Sequence, residues 1–202
     1  MDDNRRVRTS WIAATAVVAL ALGGCSSSSS DEAAPEPSAT ASASPSFTPP
    51  AGVTLTPPGT SLAVGQPATV VRETGDDASS AVSVTVAGVE PGSMDDFRFF
   101  SLDDATKKSS PYYVTVAVTN DGPAGLGGAS LPLFALDSST TNLPASEIVG
   151  TFKPCPTATL PADFLPGATA NLCLVYLVPE GRTLTSISLQ TGSTKDAISW
   201  RP

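Results

Sequence analysis

The sequence predicts an all-β fold, an antiparallel β-sandwich of about seven strands, in residues 59–202. Three observations favour this fold class. The chain contains 19 Pro and 16 Gly but only 6% aromatic residues, a composition typical of short strands joined by turns. Segments rich in β-branched residues recur along residues 59–202, whereas helical spacing of apolar residues is scarce. This part of the chain is long enough to enclose one hydrophobic core.

Residues 1–24 have the pattern of an export signal. Arg5, Arg6 and Arg8 precede an uncharged apolar run from Trp11 to Leu22. A helix needs about 20 apolar residues to cross a bilayer, and this run is shorter, as in the apolar part of a secretory signal. We therefore expect residues 1–24 to be removed during export.

The predicted cleavage site resembles the lipobox of bacterial lipoproteins. A branched apolar residue and two small residues, Leu22, Gly23 and Gly24, precede Cys25. The resemblance implies that Cys25 becomes the first residue of the mature protein and carries the lipid, so that the protein is anchored at the outer face of the cell membrane. The alternative is an ordinary signal peptide followed by an unrelated Cys.

A tether is expected to follow the lipidated residue and, with Cys25, to occupy residues 25–58. The segment begins with five serines and is rich in Ser, Ala, Pro and Thr, with few large apolar groups. Such a composition cannot bury enough apolar surface to offset the loss of backbone entropy, so the segment is predicted to be disordered. Stretched as polyproline II, it would reach roughly 100 Å.

The segments of residues 59–202 that predict strands are bounded by Gly, Pro or Ser. In chain order they are Leu62–Val71 (an edge strand interrupted by Pro67), Ser80–Val89, Tyr112–Thr119, Leu131–Leu136, Leu172–Val178, Leu184–Leu189 and Ala197–Trp200. Residues 171–178 are apolar on both faces, which predicts a central strand. Asn120 is followed by Asp and Gly, a strong turn signal. Residues 94–108 are predicted to form a surface loop with one helical turn.

Four motifs of this part resemble an immunoglobulin-like domain family of bacterial lipoproteins, domain of unknown function 4352. They are Tyr112–Asn120, Leu165-Pro-Gly167, Val178-Pro179 and Ile198-Ser-Trp200. The resemblance extends from Ser80 onward. It implies an immunoglobulin-like sandwich without an established catalytic activity. Cys155-Pro156 is an addition to the family pattern.

Cys155 and Cys173 are the two cysteines that remain when Cys25 carries lipid. An even pair in an exported domain is expected to form a disulfide. The bond would restrict the unfolded chain by roughly 3 kcal/mol. The sequence supplies no further soft ligands for a metal site near this pair, so a structural role is favoured over a redox or metal-binding role.

Pairs of acidic residues recur in segments predicted to be loops: Asp76 and Asp77, Asp95 and Asp96, and Asp103 and Asp104. Clustered carboxylates suit calcium, so two of these loops together are candidates for a calcium site. The sequence has no Asp-x-Asp-x-Asp-Gly loop, and acids that favour turns and remain solvated are the simpler interpretation. Glycosidase chemistry is disfavoured because nothing indicates a carboxylic acid with a raised pKa.

Composition excludes several functions. The chain has no His, which removes catalytic sets and zinc sites that require imidazole. Motifs of serine enzymes such as Gly-x-Ser-x-Gly are absent from the sequence. The net charge is −8, and loss of the three signal-peptide arginines would make the mature chain more acidic. Nucleic acid and anionic lipid headgroups are therefore not expected partners.

Aromatic residues lie on both sides of the third acidic pair, Asp103 and Asp104: Phe97, Phe99, Phe100, Tyr112 and Tyr113. These side chains are candidates for a binding face, but aromatic residues beside a strand are more often part of a core. We therefore predict that they are buried.

The leading functional prediction is a surface-exposed, non-catalytic binding or structural module of the cell envelope. Its partner would be an envelope protein or wall polymer, and no cofactor is expected. The alternative is an envelope accessory enzyme or calcium-dependent module that uses the aspartate-rich loops. Substrate capture for a transporter is disfavoured because the domain is smaller than the usual two-lobed receptor.

Overall fold

The computed structural model describes residues 47–73 and 79–202, and within these residues it contains nine strands and three short 3₁₀ helices. The strands are β1 (Ser61–Ala63), β2 (Pro67–Glu73), β3 (Ser79–Pro91), β4 (Ser110–Asn120), β5 (Leu133–Asp137), β6 (Asn142–Pro144), β7 (Thr169–Val178), β8 (Leu184–Leu189) and β9 (Ile198–Arg201). The 3₁₀ helices are Met94–Phe97, Thr106–Lys108 and Thr194–Asp196. The predicted all-β fold is confirmed.

Two sheets form a β-sandwich. One has the strand order β1-β9-β8-β5-β6 and the other has the order β2-β3-β4-β7. Neighbouring strands are antiparallel except for β1 and β9, which are parallel. The core lies between the sheets, as expected for a sandwich whose strands alternate inward apolar and outward polar residues.

The core follows from this alternation. Val82, Val84 and Val86 of β3 are fully buried and lie beside Asn120 and inward-facing valines of β4. From the opposite sheet come Ile187 and Trp200, also fully buried. A buried aliphatic side chain contributes about 1.5–3 kcal/mol relative to an exposed one. These residues therefore hold the two sheets together.

A β-bulge in β3 keeps apolar residues on the inner face. The register with β4 shifts between Val86 and Gly88. Because side chains alternate between faces, an extra residue reverses the faces of the residues that follow it. The bulge consequently turns Val89 inward, where it packs against the core. It also leaves Glu90 opposite Tyr113 on the outer face.

The first predicted strand is in fact two strands in different sheets. β1 ends at Ala63, a turn with Gly65 at φ 92° follows, and β2 begins at Pro67. The interruption was predicted at Pro67, but the passage of the chain from one sheet to the other was not. A turn between two sheets and a break within one strand have the same kind of local sequence. β2 lies at the edge of its sheet as predicted.

The prediction that residues 171–178 form a central strand is wrong. β7 is the last strand of its sheet, yet on its outer face Val175 is buried and Cys173 and Leu177 are half-buried. The reason is that residues 146–157, named here the disulfide loop, lie along its open edge. The amide of Ser146 donates to the carbonyl of Val175 at 2.7 Å, and the amide of Cys173 donates to that of Thr157 at 2.6 Å.

The end of the predicted tether is attached to the sandwich. The amide of Thr56 donates to the carbonyl of Thr69 in β2 at 2.8 Å, and the amide of Thr69 donates to Oγ1 of Thr56 at 2.9 Å. Residues 47–58 contain no helix or strand, as predicted, but these bonds hold Thr56 against the edge of β2. The folded unit therefore begins before Gly59.

Several predicted features lie outside the described residues: the signal peptide of residues 1–24, the lipobox with Cys25, most of the tether, and the acidic pair Asp76 and Asp77. Among the residues that the structure describes, no helix is long and apolar enough to span a membrane.

Candidate binding groove

The predicted disulfide between Cys155 and Cys173 is formed, with 5.1 Å between the two Cα atoms. Cys173 lies in β7, and Cys155 lies in the disulfide loop and is 6% exposed. The bond thus fixes the loop to the outer face of β7. A cross-link of this kind restricts the positions that loop residues such as Phe152 can occupy.

A second segment crosses the outer face of the same sheet. It comprises residues 92–109, named here the β3–β4 loop, and contains the first two 3₁₀ helices. Ser93 accepts the amide of Asp95 at the start of the first helix, a regular N-terminal cap. Asp96 accepts a hydrogen bond from the hydroxyl of Tyr113 in β4 at 2.8 Å. The loop is thereby held against β4.

The two loops meet in a small second core outside the sandwich. Phe97 and Phe152 are each 4% exposed, and their ring centroids are 4.8 Å apart. Phe152 also contacts the ring of Phe100 at 5.8 Å and that of Tyr113 at 5.7 Å. Val175 completes the buried part of this cluster from β7. Aromatic packing of this kind stabilises the loops beyond simple area burial.

A groove of about 380 Å³ lies between the two loops, named here the inter-loop groove. Its volume falls within the range of ligand-binding clefts. One wall comes from the β3–β4 loop and the other from the disulfide loop. The lining residues are Asp96, Arg98, Phe99, Phe100, Thr151, Phe152, Lys153 and Pro154.

Phe99 is the most informative residue of the groove. Its side chain is 84% exposed, so the prediction that this aromatic group is buried is wrong for Phe99, while it is right for Phe97. The guanidinium carbon of Arg98 lies 4.6 Å from the centroid of the Phe99 ring, a cation–π contact. Arg98 also donates from Nη1 to the carbonyl of Asp95 at 3.1 Å. These contacts orient an apolar side chain that the core does not use.

The charged side chains that line the groove differ in the partners they have. Burial, and then the hydrogen bond to Asp96, raise the pKa of Tyr113 well above its usual value, so Tyr113 remains a neutral donor to the Asp96 carboxylate. Within the described part of the chain, Arg98 and Lys153 form no ion pair. Both side chains are exposed. The groove therefore contains one carboxylate that already accepts a hydrogen bond and two cations.

The acidic pairs predicted as calcium candidates have local partners. Asp103 accepts the amide of Thr106 at 2.7 Å and its hydroxyl at 3.1 Å, and these bonds lower the pKa of Asp103. Asp104 forms an ion pair with Lys107 at 2.9 Å. Across residues 47–73 and 79–202, no three or more His, Cys, Asp or Glu side chains form a group suited to a metal ion. The calcium site stays a prediction.

Two other grooves offer less varied chemistry. One, of about 590 Å³, lies at the side of the sandwich and is lined mainly by apolar residues such as Leu131, Phe134 and Leu174. The other, of about 500 Å³, lies on the outer face of the five-stranded sheet beside Ser186 and Ser199. Neither has an exposed aromatic side chain next to paired cations.

Arg98, Phe152 and Lys153 were not predicted from the sequence to line a groove. Two signals were available, namely a basic residue inside the aromatic run of residues 97–100, and a Lys near Cys155. Neither signal indicates that the two loops meet, because residues 98 and 153 are distant in sequence.

The protein is thus a β-sandwich with a groove on one outer face, and this groove lies between two loops, one of which is disulfide-linked. No protein-family model, curated protein or solved structure matches the chain.

Proposed function

We propose that this protein is a lipid-anchored, non-catalytic binding module of the cell envelope, whose immunoglobulin-like domain contacts a protein partner through the inter-loop groove. The observation that carries the proposal is Phe99, an aromatic side chain that is 84% exposed and held by Arg98 at the mouth of the groove. Aromatic residues, including Phe, and Arg are enriched in protein interfaces.

The location of the module rests on the amino-terminal sequence. The basic residues, short apolar run and lipobox-like Leu22–Cys25 segment support export and lipidation at Cys25. The resemblance to domain of unknown function 4352 supports the immunoglobulin-like assignment and a place among bacterial lipoproteins.

A protein partner is favoured over a wall polysaccharide by the hydrogen-bonding groups of the groove. Thr151 is the single hydroxyl among the side chains that line it. The ring of Phe99 already has the Arg98 guanidinium over one face. Recognition of a sugar would require several converging polar groups to replace its hydration. An apolar side chain of a protein would instead fit the rings of Phe99, Phe100 and Phe152.

A non-catalytic role is favoured by the residues available. The sequence has no His, and the carboxylate that lines the groove, Asp96, already accepts a hydrogen bond from Tyr113. General acid–base chemistry needs a group whose pKa and position allow proton exchange with a substrate. Arg98 and Lys153 bring hydrogen-bond donors to the groove and no acceptor.

In-cell photo-crosslinking tests this proposal. A benzophenone amino acid replaces Phe99 in the full chain, and adducts are identified by mass spectrometry. We expect one predominant protein adduct. The matched control places the same group at Leu165, which is 60% exposed and does not line the groove. Identical adduct profiles at the two positions, no adduct at Phe99, or an adduct with a polysaccharide would each contradict the proposal.

A further inference from the structure

We infer that the inter-loop groove recognises an extended protein segment in which a large apolar side chain is followed or preceded by an acidic one. This inference rests on the proposed protein-binding function and adds the chemical class of the bound segment.

The preference for a large apolar side chain comes from the ring surfaces of the groove. Phe99, Phe100 and Phe152 and the ring of Pro154 line both sides of a groove of about 380 Å³. Phe152 is fixed from below by its contact with Phe97. A surface with fixed rings accepts an apolar side chain without the entropy cost of ordering its own walls. The groove is therefore prepared for a large apolar side chain.

The preference for an acidic side chain comes from the two cations. Arg98 lies on one wall and Lys153 on the other. A guanidinium has five N–H donors, and the structure assigns one hydrogen bond from Arg98, to the carbonyl of Asp95. Its stacking on Phe99 leaves the edge of the guanidinium available to a carboxylate. Charge-assisted hydrogen bonds of this type are stronger than neutral ones.

The carboxylate of Asp96 does not neutralise the charges of Arg98 and Lys153. Oδ2 of Asp96 accepts the hydroxyl of Tyr113 at 2.8 Å, so this oxygen is directed toward the outer face of β4. Neither Arg98 nor Lys153 is within ion-pair distance of Asp96, as judged from the described residues. An incoming carboxylate would be the nearest partner of both cations.

The charge of the whole chain limits the form of the anion. With a net charge of −8, the protein repels long polyanions, so two cations are insufficient for a nucleic acid or polyphosphate. A single acidic side chain beside an apolar anchor experiences the local cations at short range, while salt screens the more distant acidic groups. This favours an acidic–apolar peptide segment over an anionic polymer.

Selection from a phage library of random linear peptides tests the inference, with the full mature chain immobilised in detergent. We expect enriched peptides that share Leu, Ile, Met or Phe beside Asp or Glu. A synthetic peptide of this type should lose about tenfold in affinity for the Arg98→Gln/Lys153→Gln variant, a change of about 1.4 kcal/mol. Lys195→Gln, at an exposed residue outside the groove, is the matched control and should bind as the wild type does.

A change in the peptide provides a second test. Replacing the acidic residue of the peptide by the corresponding amide should weaken its binding to wild type as much as the double substitution does. The same replacement should change binding to the double variant little, because both changes remove the same interaction. Thermal unfolding of each variant verifies that it is folded.

Three outcomes would overturn the inference. They are enrichment of peptides without acidic residues, equal affinity of the selected peptide for wild type and double variant, and binding of inorganic polyphosphate as tight as that of the peptide. A specific protein adduct at Phe99 together with any of these would leave the proposed function in place and reject only the acidic–apolar specificity.

Discussion

Asp137 is a buried carboxylate that organises the turn between β5 and β6. Its Oδ1 accepts hydrogen bonds from the amide of Ser139 at 2.8 Å, the hydroxyl of Ser139 at 2.7 Å and the amide of Thr141 at 2.9 Å. Its Oδ2 pairs with Arg182 at 2.9 Å. Between them, Thr140 has a φ of 64°, which is unfavourable for a β-branched residue. The carboxylate therefore holds a turn that the backbone alone would disfavour.

Stability should depend on the ionisation of Asp137. The hydrogen bonds from Ser139, followed by those from Thr141 and Arg182, lower the pKa of Asp137 below its usual value. A carboxylate with a lowered pKa in the folded state stabilises the fold above its unfolded pKa of about 3.9, and this contribution is lost as the pH falls further. We expect Asp137→Asn to be less stable than wild type at about pH 7, with a difference that narrows below about pH 5.

Urea unfolding of both proteins across this pH range measures the difference. Asp163→Asn is the matched control because Asp163 is exposed, and its stability should follow that of wild type. A difference between Asp137→Asn and wild type that stays constant down to about pH 3 would show that the charge of Asp137 is not what stabilises the turn.

Single residues were predictable where their role is local. The turn signal after Asn120 correctly marked the end of β4. The burial of Asn120 was not predictable, because two of its partners are distant in sequence: Ser80 donates to its Oδ1 at 2.6 Å, and its Nδ2 donates to the carbonyl of Phe164 as well as to that of the nearby Ala124. Gly122 is required for a related reason, since a Cβ there would overlap the backbone nitrogen of Ala81.

At the scale of elements, the disulfide loop completes the edge of β7. Strand edges with free amides and carbonyls invite association with other chains. Here the loop supplies partners to Val175 and Cys173, and the disulfide keeps it in place. The same loop carries Phe152 and Lys153 into the groove. Edge protection and groove formation therefore depend on one cross-link.

Removal of the disulfide should loosen this loop before it affects the sandwich. We expect the Cys155→Ser/Cys173→Ser variant to lose about 3 kcal/mol of stability, since the unfolded chain regains the freedom of the closed loop. Amide hydrogen exchange, followed by mass spectrometry of peptides from residues 146–157, should be faster than in wild type. Peptides from β3 should serve as the internal reference, because β3 lies between β2 and β4.

Two results would contradict this expectation. One is unchanged exchange in the disulfide loop of the variant, which would mean that the hydrogen bonds to β7 hold it without the cross-link. The other is equal acceleration in β3, which would mean that the disulfide supports the whole sandwich. Wild type treated with a reductant should reproduce the behaviour of the variant.

Strands with strong patterns were predictable, whereas their places in the sheets were not. β3, β4, β7, β8 and β9 lie where alternating or continuous apolar segments indicated. β7 was expected at the centre because both of its faces are apolar, but this pattern reports burial and not hydrogen-bonded neighbours, and a loop can bury an edge strand equally well. β1 and β6 have three residues each, too few to produce a periodic signal.

At the scale of the whole molecule, the proposed lipid at Cys25 determines where the groove operates. Each buried methylene of an acyl chain adds about 0.8 kcal/mol to membrane binding, so two or three chains anchor a protein durably. We expect Cys25→Ser to leave the precursor unprocessed or to release the protein into the medium. Detergent phase partition of cell fractions measures this. Ser26→Ala, the neighbouring substitution, should remain in the detergent phase.

A Cys25→Ser protein that is cleaved to the mature length and still partitions into detergent like wild type would reject lipidation at this residue. In that case the resemblance to a lipobox would be incidental, and an ordinary signal peptide would be the better account of residues 1–24. The groove and its proposed ligand would be unaffected, because they depend on residues of the described sandwich.

The parallel pairing of β1 and β9 has a consequence for how the protein is made. Ser61 lies opposite Ser199, 138 residues later in the sequence, and β1 has β9 as its neighbour in the sheet. The five-stranded sheet can close only after β9 has been synthesised. Contacts between such distant residues form slowly. Such a delay would suit the proposed export, because the chain would still be unfolded while it is threaded through a membrane, and pairing with β9 would then fix β1 in the sheet.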